Sequence, residues 1–147
     1  MLTFRPAIEN DWPAIEALLA RSALPLDGAH EHLGAFLLAL DGDVLVATSA
    51  IEIHGAAGLL RSVAVAESHR GQGLGEIVLC LMIFEARRCK MRTLHLLTTT
   101  AGDYFGRRGF SIASRADAPS ELQASAEFKG ACPASATLMK MTVPPAP

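Results

Sequence analysis

Leu60 to Phe84 reads LRSVAVAESHRGQGLGEIVLCLMIF, and its centre, Arg70-Gly71-Gln72-Gly73-Leu74-Gly75, is built to hold an anion. An apolar, strand-like run enters this turn and an apolar, helix-like run leaves it. Glycine lets a ligand come close to the backbone, because no Cβ stands in the way. Several backbone N–H groups of the turn converge with the positive end of the helix dipole, and the shared point suits a phosphate. Two familiar nucleotide loops fail here. GxxxxGK[ST] needs a Lys and a hydroxyl after its last glycine, where this chain has Glu76 and Ile77. GxGxxG counted from Gly71 needs a glycine at position 76, which is Glu. A tight strand-to-helix connection with no ligand is the bland alternative.

Other residue types offer proton and ligand chemistry. Glu52 and His54 lie two apart on a strand-like run and so share a face. Either can serve as a general base, or the pair can line an exposed sheet edge. Arg61 is a charge inside an apolar run. Its planar fork fits a substrate carboxylate, or it pairs internally with Glu52. Glu67 reads as a loop or cap residue, and His69 borders the anion turn. Thr98, Thr99 and Thr100 end a strand and can offer hydroxyls to a ligand. Cys132, in Ala131-Cys132-Pro133-Ala134-Ser135, is a thiol with no second cysteine nearby. His30, His32 and His95 show no paired ligand spacing, and the three cysteines form no CxxC, so no metal is expected.

These residues must be positioned by a small framework. The 147 residues are enough for one domain, expected over 1–147, with a sizeable core. A net charge of −2 gives no reason to expect nucleic acid or an anionic membrane as partner. The N-terminus carries no basic segment followed by a long apolar run, and Ile77 to Phe84 is far too short to span a bilayer. A cytoplasmic, reducing location is the expectation.

Strands are expected at Leu2–Pro6, Phe36–Leu40, Val44–His54, Leu59–Ala66, Thr93–Thr99, Phe110–Ser114 and Ala136–Val143. Asp41-Gly42 marks a hairpin, and a second turn is expected over Gly55–Gly58. Helices are expected after an Asn10 or Asp11 cap, from Leu74 to about Lys90, over Ala101–Arg108, and as a short piece over Pro119–Ser125. In the second of these Leu74, Ile77, Val78, Leu81 and Met82 form the expected buried stripe. Ser22–Gly34 reads as loop or short helix, and Pro144–Pro147 as a tail. Hairpins come first and one strand–helix–strand crossover sits in the middle. That order predicts an α+β fold, with a mixed, mostly antiparallel sheet flanked by helices.

Arg70, Gly73 and Gly75 also fit Arg/Gln-x-x-Gly-x-Gly/Ala, and here the sequence resembles the GCN5-related N-acetyltransferase (GNAT) superfamily. Many of its members carry Asn-x-x-Ala-x-x-x-Tyr-x-x-x-Gly-Phe further on. Thr98, Ala101, Phe105, Gly109 and Phe110 fall on those places with two identities changed. The resemblance implies a central pair of parallel strands that splay apart around acetyl-CoA. Val63, Ala64 and Val65 would bond its pantetheine arm, and Arg70 to Glu76 its pyrophosphate. Phe105 would touch the cofactor but cannot donate the proton that the family's Tyr is proposed to give. Tyr104, the only tyrosine, sits one residue earlier, about 100° around a helix. The implied function is acetyl transfer to the amine of a small molecule, with Glu52 or Tyr104 in proton transfer and Arg61, Thr98 and Cys132 at the substrate. A non-catalytic acyl-CoA-binding or sensor domain is the alternative, and a homodimer is an open option. LLRSVAV, LLTTTA and Phe128 followed by Cys132-Pro133-Ala134-Ser135-Ala136 look like the N-acetyltransferases associated with arsenic resistance, and more distantly like glutamate-acetylating enzymes.

Overall fold

The structure, a computed structural model, describes residues 1–145. The last two residues of the expected tail lie outside them. Among the described residues seven strands form one mixed sheet: β1 (Leu2–Pro6), β2 (Phe36–Asp41), β3 (Val44–His54), β4 (Ala57–Val65), β5 (Thr93–Thr98), β6 (Ser111–Ala113) and β7 (Thr137–Thr142). Their spatial order is β1-β2-β3-β4-β5-β7-β6. Every neighbouring pair is antiparallel except β4 and β5. The helix that links that pair, α2 (Leu74–Arg88), supplies the crossover a parallel connection requires.

Two helices cover opposite faces of the sheet. Ile15, Leu18 and Leu19 of α1 (Trp12–Arg21) pack with Phe36, Leu38 and Leu40 of β2. Leu79, Met82 and Ala86 of α2 pack with Ile51, Leu60, Leu94 and Leu96. The strands alternate between these two clusters because successive side chains point to opposite faces. The buried stripe of α2 is Leu74, Val78, Leu79, Met82 and Ala86, rotated from the expected one. Ile77 and Leu81 are exposed instead, since both ends of an apolar helix cannot decide alone which side meets the sheet.

Other boundaries shift for local reasons. Asp11 precedes α1, but its carboxylate accepts from the Ile8 N–H at 2.7 Å and pairs with Arg5, so it caps the turn before the helix. The second hairpin turn is only Gly55–Ala56, and β4 begins at Ala57. Gly58 belongs to the strand because a Cβ there would stand 2.6 Å from Met91 Sδ and 2.9 Å from a Leu94 methyl. The helix expected over Ala101–Arg108 shortens to α3 (Gly102–Gly106), and Ser120–Ala124 is a 3-10 turn. Glu127–Ala131 forms a π-helical turn. No helix among the described residues is long and apolar enough to cross a membrane.

Candidate active site

β4 and β5 pair over three residues only: Ala57 with Thr93, Gly58 with Leu94 and Leu59 with His95. Beyond Leu59 the strands part, and Leu60–Val65 has no strand partner on the β5 side. The gap is a cleft of about 860 Å³. Its walls include Leu60–Val65 of β4, Leu96–Thr98 of β5, the following Thr99–Ala101, and Phe105. Arg70 stands among the lining residues, and Glu127 and Cys132 join Arg61 of β4 there from other elements.

A bulge shapes the β4 wall. Thr48 pairs with Ala64 and Ala50 with Arg61, so Ser62 and Val63 together oppose Ser49. Ser62 takes φ +57°, a left-handed conformation that costs a side chain about 1 kcal/mol. The Thr48 hydroxyl donates to the Ser62 carbonyl at 2.8 Å and holds it there. Such bulges re-aim the backbone beside them. Here the residues re-aimed are Val63 to Val65, the stretch expected to bond a pantetheine arm.

At the end of β4 the chain enters the glycine turn. Gly71 and Gly73 adopt φ +78° and +79°, where other residues are strained, and among the described residues no heavy atom beyond the adjoining ones in the chain lies within 4 Å of either missing Cβ. The space above both glycines is therefore open to a ligand. Arg70 Nε donates to the Val65 carbonyl at 3.0 Å and ties the turn to the strand. α2 begins at Leu74 with Gly73 as its cap, and the first-turn N–H groups of Leu74, Gly75 and Glu76 have no partner within the helix. The side chain of Leu74 is core, so only its backbone is available. Gln72 is exposed on the turn. This cradle fits a pyrophosphate.

Two expected proton carriers stand off the cleft. Glu52 does not line it: its side chain is 1% exposed and is bonded to Arg61 at 2.7 Å and His54 at 2.9 Å. Burial pushes its carboxyl up, but hydrogen bonds from His54, Arg61 and Ser125 outweigh that and hold it below the usual range. A buried carboxylate held ionised and fully bonded is a poor base. Tyr104 also lies outside the lining; its hydroxyl would meet a Cβ on Gly75 at 3.1 Å, and Arg108 stacks 3.7 Å over its ring. Burial raises its phenol. Phe105, by contrast, is in the cleft wall, edge-on to Phe110 at 5.7 Å.

The expected substrate residues all reach the cleft, in different states. Thr98 Oγ1 accepts from the N–H of Ala101, the residue before α3, at 2.9 Å, leaving its own proton to donate. Arg61 is fully buried, and each of its nitrogens already faces an acceptor: Glu52, the Pro25 carbonyl and Ser62 Oγ. The internal pair with Glu52, one of the two readings of Arg61, is the one formed. Burial pushes the Cys132 thiol up to about 11, with Glu127 adding to the shift. The thiol stays protonated near neutrality and is no nucleophile. Among the described residues no group of three His, Cys, Asp or Glu side chains could hold a metal ion.

Glu127 was not singled out in the sequence. It lines the cleft with a side chain 5% exposed, and burial pushes its carboxyl up to about 7, against Arg61 and helped by Glu52. The only signal was a lone acid in a stretch of small residues, Ala124 to Ala136, five before the cysteine.

A protein-family model described as an acetyltransferase (GNAT) domain matches residues 32–112, more than half of the chain, and the chain belongs to that family. The seven-stranded sheet with its single parallel pair is the fold of that family's solved members. N-acetylglutamate synthase from Neisseria gonorrhoeae, complexed with coenzyme A and N-acetyl-glutamate, superposes with a TM-score of 0.84 at 23% identity. That match covers 98% of this chain and 35% of the synthase, so the chain spans about a third of its length. Rv2747 from Mycobacterium tuberculosis, in complex with CoA and NLQ, gives 0.79 at 21% identity, covering 97% of this chain and 99% of the other. The ribosomal-protein-S18-alanine N-acetyltransferase of Escherichia coli gives 0.76 at 19% identity, over 100% and 97% of the two chains. No curated protein sequence matches the chain.

Proposed function

We propose that this chain is an acetyl-CoA-dependent N-acetyltransferase acting on the amine of a small molecule. One observation carries the reading: β4 and β5 part after Leu59 and His95, opening a cleft beside the glycine turn at the start of α2. The pantetheine arm would lie along Val63 to Val65 as an extra strand. One backbone N–H there would polarise the thioester carbonyl. Arg70 and the amides from Gly71 to Glu76 would hold the pyrophosphate, and Phe105 would pack against the arm. The amine then attacks the thioester directly, and the thiolate departs without a dedicated acid, being a tolerable leaving group near neutral pH. Much of the acceleration would come from positioning.

We extend the proposal to an amino acid or amino-acid-like toxin as acceptor. Support comes from the likeness of LLRSVAV and the Cys132–Ala136 stretch to arsenic-resistance-associated N-acetyltransferases. A cytoplasmic enzyme working on free metabolites suits three free cysteines.

Calorimetry with acetyl-CoA, followed by thiol release across a panel of primary amines, tests this reading. Absence of binding at millimolar acetyl-CoA overturns it. Phe105 in the cleft, with Tyr104 turned away, favours a second reading as an acyl-CoA sensor. That reading predicts CoA binding with no amine turned over.

A further inference from the structure

Two carboxylates compete for one buried guanidinium beside the cleft. Glu52 wins, with Arg61 NH1 at 2.7 Å from its Oε2. Glu127 is left with Arg61 Nε at 3.5 Å, beyond a good hydrogen bond, and that nitrogen donates instead to Ser62 Oγ at 3.2 Å. Glu52 is closed off, while Glu127 opens onto the cleft. A buried carboxylate without a full counterion is costly, and a cation entering the cleft would supply what is missing.

We propose that this inner end of the cleft is the acceptor's ammonium site, and that Glu127 receives the ammonium and takes its proton. The site rests on the acetyl-transfer reading for its second substrate, not for its own existence. Its backbone is fixed by the π-helical turn Glu127–Ala131, in which Gly130 takes φ +118°. The Glu127 N–H donates to Ser125 Oγ at 3.2 Å, and the Cys132 N–H donates to the Glu127 carbonyl at 3.3 Å.

One ammonium proton passes to the Glu127 carboxylate. The freed nitrogen lone pair attacks the thioester carbonyl carbon and a C–N bond forms. The C–S bond breaks, and its electron pair leaves on the CoA sulfur. The second nitrogen proton neutralises that thiolate, giving amide and CoA thiol, and Glu127 returns its proton to solvent. The charged and titratable groups around Glu127 are Arg61 on β4, Glu52 on β3 with His32 and His54 behind it, and Cys132 with Arg115 beyond. Burial pushes the Glu127 carboxyl up to about 7, which suits a base working at neutral pH.

A ¹³C-carboxyl NMR titration of the full chain saturated with CoA, using n-butylammonium chloride as probe, reads the site without turnover. Glu127→Gln identifies the resonance. The expected result is a midpoint near 7 that the probe lowers by about one unit, as an added cation does. A midpoint unmoved by the probe overturns the ammonium site. With an amine that the chain acetylates, E127Q lowers kcat/KM at pH 7 by about 100-fold or more and abolishes the acid limb, while CoA affinity stays unchanged. E127D keeps the limb. An E127Q enzyme with the wild-type rate and limb overturns the proton role. CoA binding without any turnover would sink the transfer reading alone, and the titration would still decide the site.

Discussion

The guanidinium of Arg61, in the cleft wall, and the carboxylate of Glu52, outside the lining, face each other at 2.7 Å, both shut off from solvent. Arg61→Ala leaves Glu52 and Glu127 buried with no cation between them. Loss of one partner from such a pair costs about 3–5 kcal/mol. Thermal or urea unfolding will show that loss, and Arg61→Lys will not restore it, because one ammonium cannot serve Glu52, Ser62 and the Pro25 carbonyl together.

Glu127 makes stability depend on pH in a defined direction. Its folded value, about 7, lies above the ordinary 4.5. A raised carboxyl contributes stability that is complete below its unfolded value and is lost as pH rises through the folded one. Across that window the group's contribution falls by about 3 kcal/mol. Glu52 acts oppositely: held low, it stabilises above its ordinary value and that contribution is lost as pH falls. Urea unfolding of E127Q at pH 5 and pH 8 should therefore show a gain over wild type that appears only at the higher pH. An equal difference at both pH values would contradict the assignment.

Gly73 stands at φ +79° over open space. Gly73→Val forces a β-branched residue into that conformation and fills the cradle. It should cost about 1–2 kcal/mol of stability. Acetyl-CoA affinity should fall at least tenfold, as measured by calorimetry. Unchanged affinity would mean that the turn is only a connection.

Tyr104 touches Gly75 and Arg108 and does not line the cleft. Tyr104→Phe should leave kcat within about threefold of wild type, far from the 100-fold or greater loss expected on removing a working general acid. Steady-state thiol release over pH 6–9 decides this.

Lys90 takes φ +61° just after α2. The Met91 N–H bonds the Ala86 carbonyl and the Lys90 N–H bonds the Arg87 carbonyl, both at 3.0 Å, which is the geometry of a glycine-terminated helix. Lys90→Gly should stabilise the fold by about 0.5–1 kcal/mol, read from the urea midpoint, because relief of the left-handed strain exceeds the added unfolded-state freedom.

Local patterns in the chain already determined much of this protein. Alternation and turn residues gave the seven strands, and the glycines between an apolar strand and an apolar helix marked the anion cradle. The spacing from Thr98 to Phe110 marked the cleft wall, because α3 and the strand before it are contiguous in sequence. Tertiary structure alone decided how the two buried carboxylates are partnered. Glu52 and Glu127 are 75 positions apart in the chain, and their roles depend on which of them Arg61 bonds more closely. The same carboxylate type is held low at Glu52 and pushed up to about 7 at Glu127. Burial and partner geometry set that difference, and neither is a property of the residues' neighbours in sequence.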